Sequence, residues 1–346
     1  MSLYSTLLGF FSFLGYPLSN AAAYLFESIF LLLAASLSLV FMIYLFRKYM
    51  ARVQLRIGPN RVGKFGLLQL IADVFKLVQK ESLFPKNRDD LPYRIAPVMV
   101  IIGLMLAFAV IPYGSFFYFG SLTVSDTGVS VILLFAILSI MPIGEVLAGI
   151  SSRNKYALLG ALRAVAKDIS FEIPMMISVL AIIMMASART SAPLSIDSIV
   201  VTEILPYGIL QPIGISVFLV AMIARASYSP FDMGESDSEL ITGFSTEYSG
   251  MRFGMFYAGL FGSILLGSFV VSLFYLGGFN GPFSGDLGAV WLGIKALILV
   301  IISFTVWLSM PRIRIDKFVN FGWKYLLPLA MINLVISGAL TLMTGW

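Results

Sequence analysis

The stretch AAYLFESIFLLLAASLSLVFMIYLF, residues 22–46, holds one charged side chain, Glu27, among 25 residues. A helix needs roughly 20 consecutive apolar residues to cross the hydrocarbon core of a bilayer. Seven later stretches are equally apolar on every side, unlike the alternating strands of a barrel. The sequence therefore predicts an all-α integral membrane protein with about eight transmembrane helices plus amphipathic helices on the cytoplasmic side. The predicted spans are residues 22–46, 95–117, 129–150, 171–188, 207–226, 251–276, 290–310 and 325–343.

The connections between the spans alternate in charge. Of the 23 Lys and Arg residues, 21 lie in the first, third, fifth and seventh connections or at their ends, and only Arg189 and Lys295 lie elsewhere. Positive residues favour the cytoplasmic side of a membrane, so both termini are expected outside. We find no repeat and no linker, and we treat residues 1–346 as one polytopic domain.

Composition limits the chemistry that the chain can carry. It has no cysteine and no histidine, and 59% of its residues are hydrophobic. The usual ligands of Fe–S clusters, haem and most zinc sites are therefore missing, so we expect no metal site and no covalently bound cofactor. An electron carrier would be held by another protein or would diffuse in the lipid. The basic connections could serve anionic lipid or an acidic partner, and nothing indicates nucleic acid.

The first cytoplasmic loop is predicted over residues 47–94. A turn at Gly58, Pro59 and Asn60 precedes residues 66–81, whose apolar side chains follow a helical period. This amphipathic helix either lies at the headgroup level or forms one wall of a cavity, and the two interpretations are compatible.

A second cytoplasmic segment, residues 227–250, is acidic. On a helix, Asp232, Glu235 and Glu239 would share a face, and like charges at that spacing raise one another's pKa. The alternative is a solvated acidic loop that docks against basic residues. Three more carboxylates, Glu27, Glu145 and Glu172, lie in or at the ends of spans, where such groups act as proton relays or form structural ion pairs.

Four blocks of the chain resemble one known family in order along the chain. They are RIGPNRVGKFGLLQLIAD (56–73), SSRNKYALLGALRA (151–164), SPFDMGESDSELITGFSTEYSGMRF (229–253), and PRIRID (311–316) with WKYLLPLA (323–330). These blocks are similar to those of the complex I membrane subunit that abuts the peripheral arm, which is called the H subunit in bacteria.

The resemblance implies a subunit of a proton-translocating oxidoreductase in a prokaryotic cell membrane, with no redox centre or catalytic residue of its own. It would wall a chamber for a lipid-soluble acceptor, a quinone or methanophenazine, and start the proton path. Its partners would be peripheral-arm subunits with Fe–S clusters on the cytoplasmic side, and antiporter-like and small subunits in the membrane. The implied relay residues are Glu235, Asp237, Glu239, Glu247, Glu172 and Glu145. The implied chamber residues are Arg47, Arg56, Arg61, Asp73, Lys76, Phe231, Asp232 and Tyr228.

The chain departs from the family pattern at several charged positions. The family usually has Glu at Phe46, a Glu-x-Asn-Arg motif at Arg225, Ser227 and Tyr228, Glu at Leu260, Arg at Trp307 and Glu at Asp237. These departures suggest a different acceptor, donor or proton route, such as a deazaflavin- or ferredoxin-linked enzyme. NADH as donor, and Na⁺ in place of H⁺, stay open.

Two other functions share some of these features. A secondary ion transporter would also hold carboxylates in its membrane spans, but it is expected to show an inverted repeat or broken helices, and we find no repeat. A membrane subunit of a hydrogenase-type complex is closer, and a reduced first loop would distinguish it.

Overall fold

The structure is a computed structural model that describes residues 7–8, 18–115, 127–203, 205–235, 237–282 and 284–344. Its regular elements in these ranges are helices, and seven helical stretches are long and apolar enough to cross a membrane. Two of these stretches, residues 130–151 and 315–343, consist of consecutive helices that are numbered separately below. This finding confirms the predicted class of all-α integral membrane protein. Numbered in chain order, the helices are α1 (Leu18–Val53), α2 (Gln69–Gln79), α3 (Asp90–Val110), α4 (Ser130–Leu138), α5 (Ile140–Ser151), α6 (Lys155–Ser187), α7 (Ile196–Val201), α8 (Tyr207–Leu210), α9 (Pro212–Arg225), α10 (Asp237–Leu240), α11 (Met251–Tyr275), α12 (Ser284–Ser309), α13 (Ile315–Phe321) and α14 (Leu327–Thr344).

Two helices run well past the apolar spans that predicted them. Helix α6 begins at Lys155, 16 residues before its predicted span, because the Asn154 side chain accepts a hydrogen bond from the Tyr156 amide and caps it. Helix α1 continues through Arg47 to Val53, since nothing in that basic stretch stops a helix. The first loop between helices is therefore shorter than the predicted 47–94.

The fifth span is broken rather than continuous. Helix α9 has 14 residues and is about 21 Å long, short of the roughly 30 Å hydrocarbon core. The chain leaves helical geometry at Gln211, where Pro212 starts the new helix. The buried Gln211 amide donates to the Ala181 carbonyl at 3.2 Å, and Asn333 donates to Gln211 at 3.3 Å. Neighbouring helices thus satisfy the polar groups at the break.

Helix α6 lies at the centre of the bundle. It packs against α5, α9 and α14, while α3 packs against α5 and α11, and α12 against α11. Helix α11 is the most deeply buried span, with Phe261 and Phe274 fully covered. Residues 54–89 and the acidic segment 227–250 meet at one end of this bundle, where Ser249 accepts a hydrogen bond from the Leu83 amide at 2.9 Å. We call this end the loop end.

Candidate functional site

Helix α2 lies beside the last turns of α1 at the loop end. Arg47 of α1 forms an ion pair with Asp73 of α2, and Gln69 donates to the same carboxylate at 3.2 Å. The helix starts later than the predicted residue 66, because Phe65 and Gly66 have positive φ angles in the turn before it. Of its apolar stripe, Leu70 is buried. The rest of the stripe is exposed in this chain: Leu67, Ile71, Val74, Phe75 and Val78.

The acidic segment is packed onto α6 by close backbone contacts. A side chain at Gly160 would lie 2.8 Å from the Gly234 carbonyl oxygen and from the Phe244 amide, so the segment can approach α6 this closely only at a glycine. Phe244 is buried and packs against Phe256 of α11 at 5.4 Å between ring centroids. The segment is therefore ordered by packing, as its mixture of aromatic residues and glycines predicts.

This packing half-buries Glu235. Burial raises its pKa to about 8, and the neighbouring carboxylates of Glu145 and Asp232 add to that rise. The Lys167 ammonium and a hydrogen bond with the Ser245 side chain act in the opposite direction. This shift favours the protonated form of Glu235 near neutral pH, and its main cause is burial rather than the like charges on one helical face that the sequence suggested.

The other relay candidates of the segment lie apart from Glu235. The helix there covers only Asp237–Leu240, so the single helical face through Asp232, Glu235 and Glu239 is not formed. Glu239 is exposed and pairs with Arg163, which lowers its pKa. Glu247 accepts a hydrogen bond from Asn154 at 2.6 Å. The side chain of Asp237 lies outside the described residues.

A cluster of buried charges lies below Glu235, between α5, α6 and α9. Lys167 and Asp168 are 3.3 Å apart and both are buried, and Lys167 also donates to the Ser227 hydroxyl. Arg225, the last residue of α9, lies 3.5 Å from Glu172 and also donates to the Leu138 carbonyl. Sequence reasoning missed Asp168, because an adjacent Lys-Asp pair is usually a solvated one. Its signal was the four-residue spacing from Glu172 inside one apolar helix.

Two small cavities flank Arg225. One, of about 10 Å³, is lined by Glu145, Asp168, Arg225 and Leu260, and the other, of about 20 Å³, lies between Arg225 and Ser263. A cavity of 10–15 Å³ with polar lining is just large enough for one water molecule. The positions where two family carboxylates are missing, Arg225 and Leu260, therefore share one hydratable space with Glu145.

Three other departures from the family pattern meet in an aromatic cluster. Phe46 and Trp307 stack with ring centroids 4.0 Å apart, and Tyr228 lies 3.8 Å from Trp307. The Tyr228 hydroxyl is buried and has no hydrogen-bond partner among the described residues. Burial, helped by nearby Tyr257 and Glu235, raises the pKa of Tyr228 well above its ordinary value. Three positions at which the resemblance implies other residues are thus occupied here by aromatic rings in contact with one another.

The remaining chamber candidates fall into two groups. Phe231 is buried and packs against Phe318 at 4.9 Å, while the Asp232 carbonyl accepts a hydrogen bond from Arg312. Arg56, Arg61 and Lys76 are exposed at the loop end and are not part of the aromatic cluster. Glu27 is buried in α1, 20 residues and about 30 Å from Arg47, so it belongs to neither group.

Comparison with known proteins identifies the family. The model of the family described as NADH dehydrogenase matches residues 26–338. The H subunit of the NADH-quinone oxidoreductase of Dehalococcoides mccartyi strain 195 is 40% identical over 302 residues, which are 87% of this chain and 82% of that protein. Its counterpart in strain CBDB1 is 41% identical over the same shares. These matches confirm the resemblance inferred from the four sequence blocks. The chain therefore belongs to the NADH dehydrogenase family and is a membrane subunit of a complex I-type oxidoreductase.

Proposed function

We propose that this subunit walls the chamber of a lipid-soluble acceptor at its loop end and starts the proton path from that chamber into the membrane. The observation that carries the proposal is the position of Glu235. It lies between the chamber wall around Tyr228 and the buried charges around Glu145, and it interacts electrostatically with both.

The chamber wall is formed where α1, α2 and α11 meet. Arg47 and Asp73 supply charged groups. Tyr257 of α11 interacts electrostatically with both of them and with Glu235. Tyr228 adds a buried hydroxyl without a partner, which an acceptor carbonyl or ring nitrogen could engage as hydrogen-bond acceptor. The relatives are named for quinone, and the aromatic exchange at Phe46 and Trp307 favours an acceptor with a larger or less polar ring system, such as methanophenazine.

The relay works by a change of charge at Glu235. With its pKa raised to about 8, Glu235 is mainly protonated near neutral pH, so it can give a proton to the reduced acceptor. The carboxylate left behind is a new negative charge next to Glu145 in a poorly hydrated setting, where charges interact strongly. That charge draws a proton through the carboxylates of the buried cluster, Asp168 and Glu145, toward Glu235, which is thereby reprotonated, while Lys167 and Arg225 stay cationic. Glu239 lies at the surface, and we place it outside this relay.

The charged and apolar surfaces of the subunit indicate which partners and which membrane surround it. The exposed cations of the loop end suit docking of a peripheral arm whose subunits hold Fe–S clusters, and the apolar stripe of α2 suits small membrane subunits or lipid. Antiporter-like subunits would continue the proton path. The charge pattern of the connections supports a prokaryotic cell membrane with the loop end in the cytoplasm and both termini outside. The presence of α2 favours this function over a hydrogenase-type subunit.

The test is the exchange of Glu235 for Gln in the assembled complex, with Glu239→Gln as the matched control. We expect Glu235→Gln to assemble normally but to lower coupled turnover by at least about tenfold, since one proton-transfer group is lost. Glu239→Gln, which removes the same charge at the surface, should keep most of the activity. Normal proton pumping in Glu235→Gln, or equal losses in the two variants, would refute the relay.

A further inference from the structure

A groove on the outside of the bundle is lined by neither Arg47 nor Asp73 of the chamber wall, but it includes Arg56, one of the chamber residues that the resemblance implies. It lies between α1 and α12 at the loop end and has a volume of about 790 Å³. That is within the range of roughly 300–1,000 Å³ that holds most small ligands. Leu45, Leu297 and Ile301 give it apolar sides that continue into the membrane spans, and Phe304 forms part of its floor.

Hydrogen bonds from two tyrosines connect the elements that form the groove. The Tyr49 hydroxyl and the Thr305 hydroxyl lie 2.8 Å apart and tie α1 to α12. The Tyr44 hydroxyl donates to the Phe65 carbonyl at 2.9 Å, so the turn before α2 roofs the groove. The groove is thus built from two transmembrane helices and from the turn that positions α2.

Three cations line the upper part of the groove. Lys48 and Arg52 are four residues apart on one face of α1, and Arg56 follows just after the helix ends. None of the three forms an ion pair with a carboxylate in the described part of the chain, in contrast to Arg47, which pairs with Asp73 on the α2 side. A groove with three cations that no carboxylate neutralises, above apolar walls, is therefore complementary to a ligand with an anionic headgroup and a hydrocarbon chain.

We propose that this groove binds one anionic phospholipid, with its phosphate among Lys48, Arg52 and Arg56 and an acyl chain along Leu297 and Ile301. An acidic protein segment would match the cations but would leave the apolar walls uncovered. A free phosphate would do the same. The lipid would hold the turn at Phe65 in place, and through it the start of α2, so it acts on the position of the chamber wall from outside the chamber.

The experiment measures lipid retained by the full-length chain. The chain is purified in a neutral detergent, supplied with phosphatidylglycerol or phosphatidylcholine of identical acyl chains, and analysed by native mass spectrometry. We expect one phosphatidylglycerol to be retained at activation energies that strip phosphatidylcholine. The triple variant Lys48→Gln, Arg52→Gln, Arg56→Gln should lose this preference, with each cation worth about fivefold in affinity.

A matched control and a second readout keep the result decisive. The triple variant Lys86→Gln, Lys155→Gln, Lys317→Gln removes three exposed cations outside the groove and should retain the lipid. A phosphatidylglycerol with a photoreactive acyl chain should label the peptide that contains Leu297. Equal losses in both triple variants, indifference of the wild-type chain to headgroup charge, or displacement of the label by a quinone analogue would overturn the proposal. The last outcome would identify the groove as an acceptor entrance.

Discussion

The exchange of Arg225 for Met tests whether this residue is the counter-charge of the buried acidic cluster. Arg225 lies 3.5 Å from Glu172, and their side chains are only 12% and 17% exposed. Methionine keeps an unbranched side chain, replacing the arginine stem, and removes the charge. After the exchange, the carboxylates of Glu145, Asp168 and Glu172 share Lys167 as their one remaining buried cation in the described part of the chain.

The expected cost follows from that imbalance. Removing one partner of a buried ion pair destabilises a protein by about 3–5 kcal/mol, because an uncompensated charge stays behind. The surface pair of Arg163 and Glu239 gives the comparison, since these side chains are 28% and 50% exposed. Exposed pairs contribute only about 0–1 kcal/mol, so Arg163→Met should be nearly neutral.

The assay is thermal unfolding of the full chain in nanodiscs, followed by tryptophan fluorescence. We expect Arg225→Met to lower the Tm by at least about 5 °C and Arg163→Met by about 2 °C or less. Adding Glu172→Gln to Arg225→Met should recover part of the loss, because it removes the orphaned charge. If the two Arg variants lose the same stability, or if Glu172→Gln recovers nothing, Arg225 is not the counter-charge.

Three further outcomes are expected. Gly160→Val should loosen the acidic segment and speed its cleavage by protease, whereas Gly293→Val, where a side chain meets open space, should not. Because Glu235 has a pKa raised to about 8 from an ordinary 4.5, stability should fall as pH rises from about 4.5 to 8, and Glu235→Gln should flatten the slope of Tm against pH. The single variant Trp307→Arg should be less stable than the double variant Phe46→Glu, Trp307→Arg. The two rings stack at 4.0 Å, and the new Glu and Arg can form an ion pair in their place. A lower Tm for the double variant would contradict a coupled exchange.

Hydropathy predicted which stretches cross the membrane but not where the helices end. An apolar run indicates which residues contact lipid, not how far the helix extends. Helix α6 begins 16 residues before its apolar run. The break at Gln211 was also missed, because a single glutamine beside a proline is compatible with a continuous span. Its partner Asn333 lies 122 residues away along the chain, and only the folded chain shows the pair.

The sequence predicted which residues form the candidate site better than it predicted how they are arranged. Carboxylates in apolar surroundings were the signal for Glu145 and Glu172, and the structure places both in or beside the buried cluster. The predicted helical face shared by Asp232, Glu235 and Glu239 was wrong, because the backbone of residues 232–235 is not helical and the short helix begins only at Asp237. The contacts of Phe46 and Tyr228 with the Trp307 ring join three segments far apart in sequence, so no local pattern could indicate them.

The length of α6 has a mechanical consequence. Its 33 residues make a rod of about 50 Å, so roughly 20 Å of it extends beyond the hydrocarbon core. Pro174 lies inside the rod and removes the hydrogen bond to the Ser170 carbonyl, which makes this turn the easiest place to bend. A force on the part of α6 outside the hydrocarbon core therefore bends the helix at the turn that carries Glu172. The distance between Glu172 and Arg225 then changes with the bend.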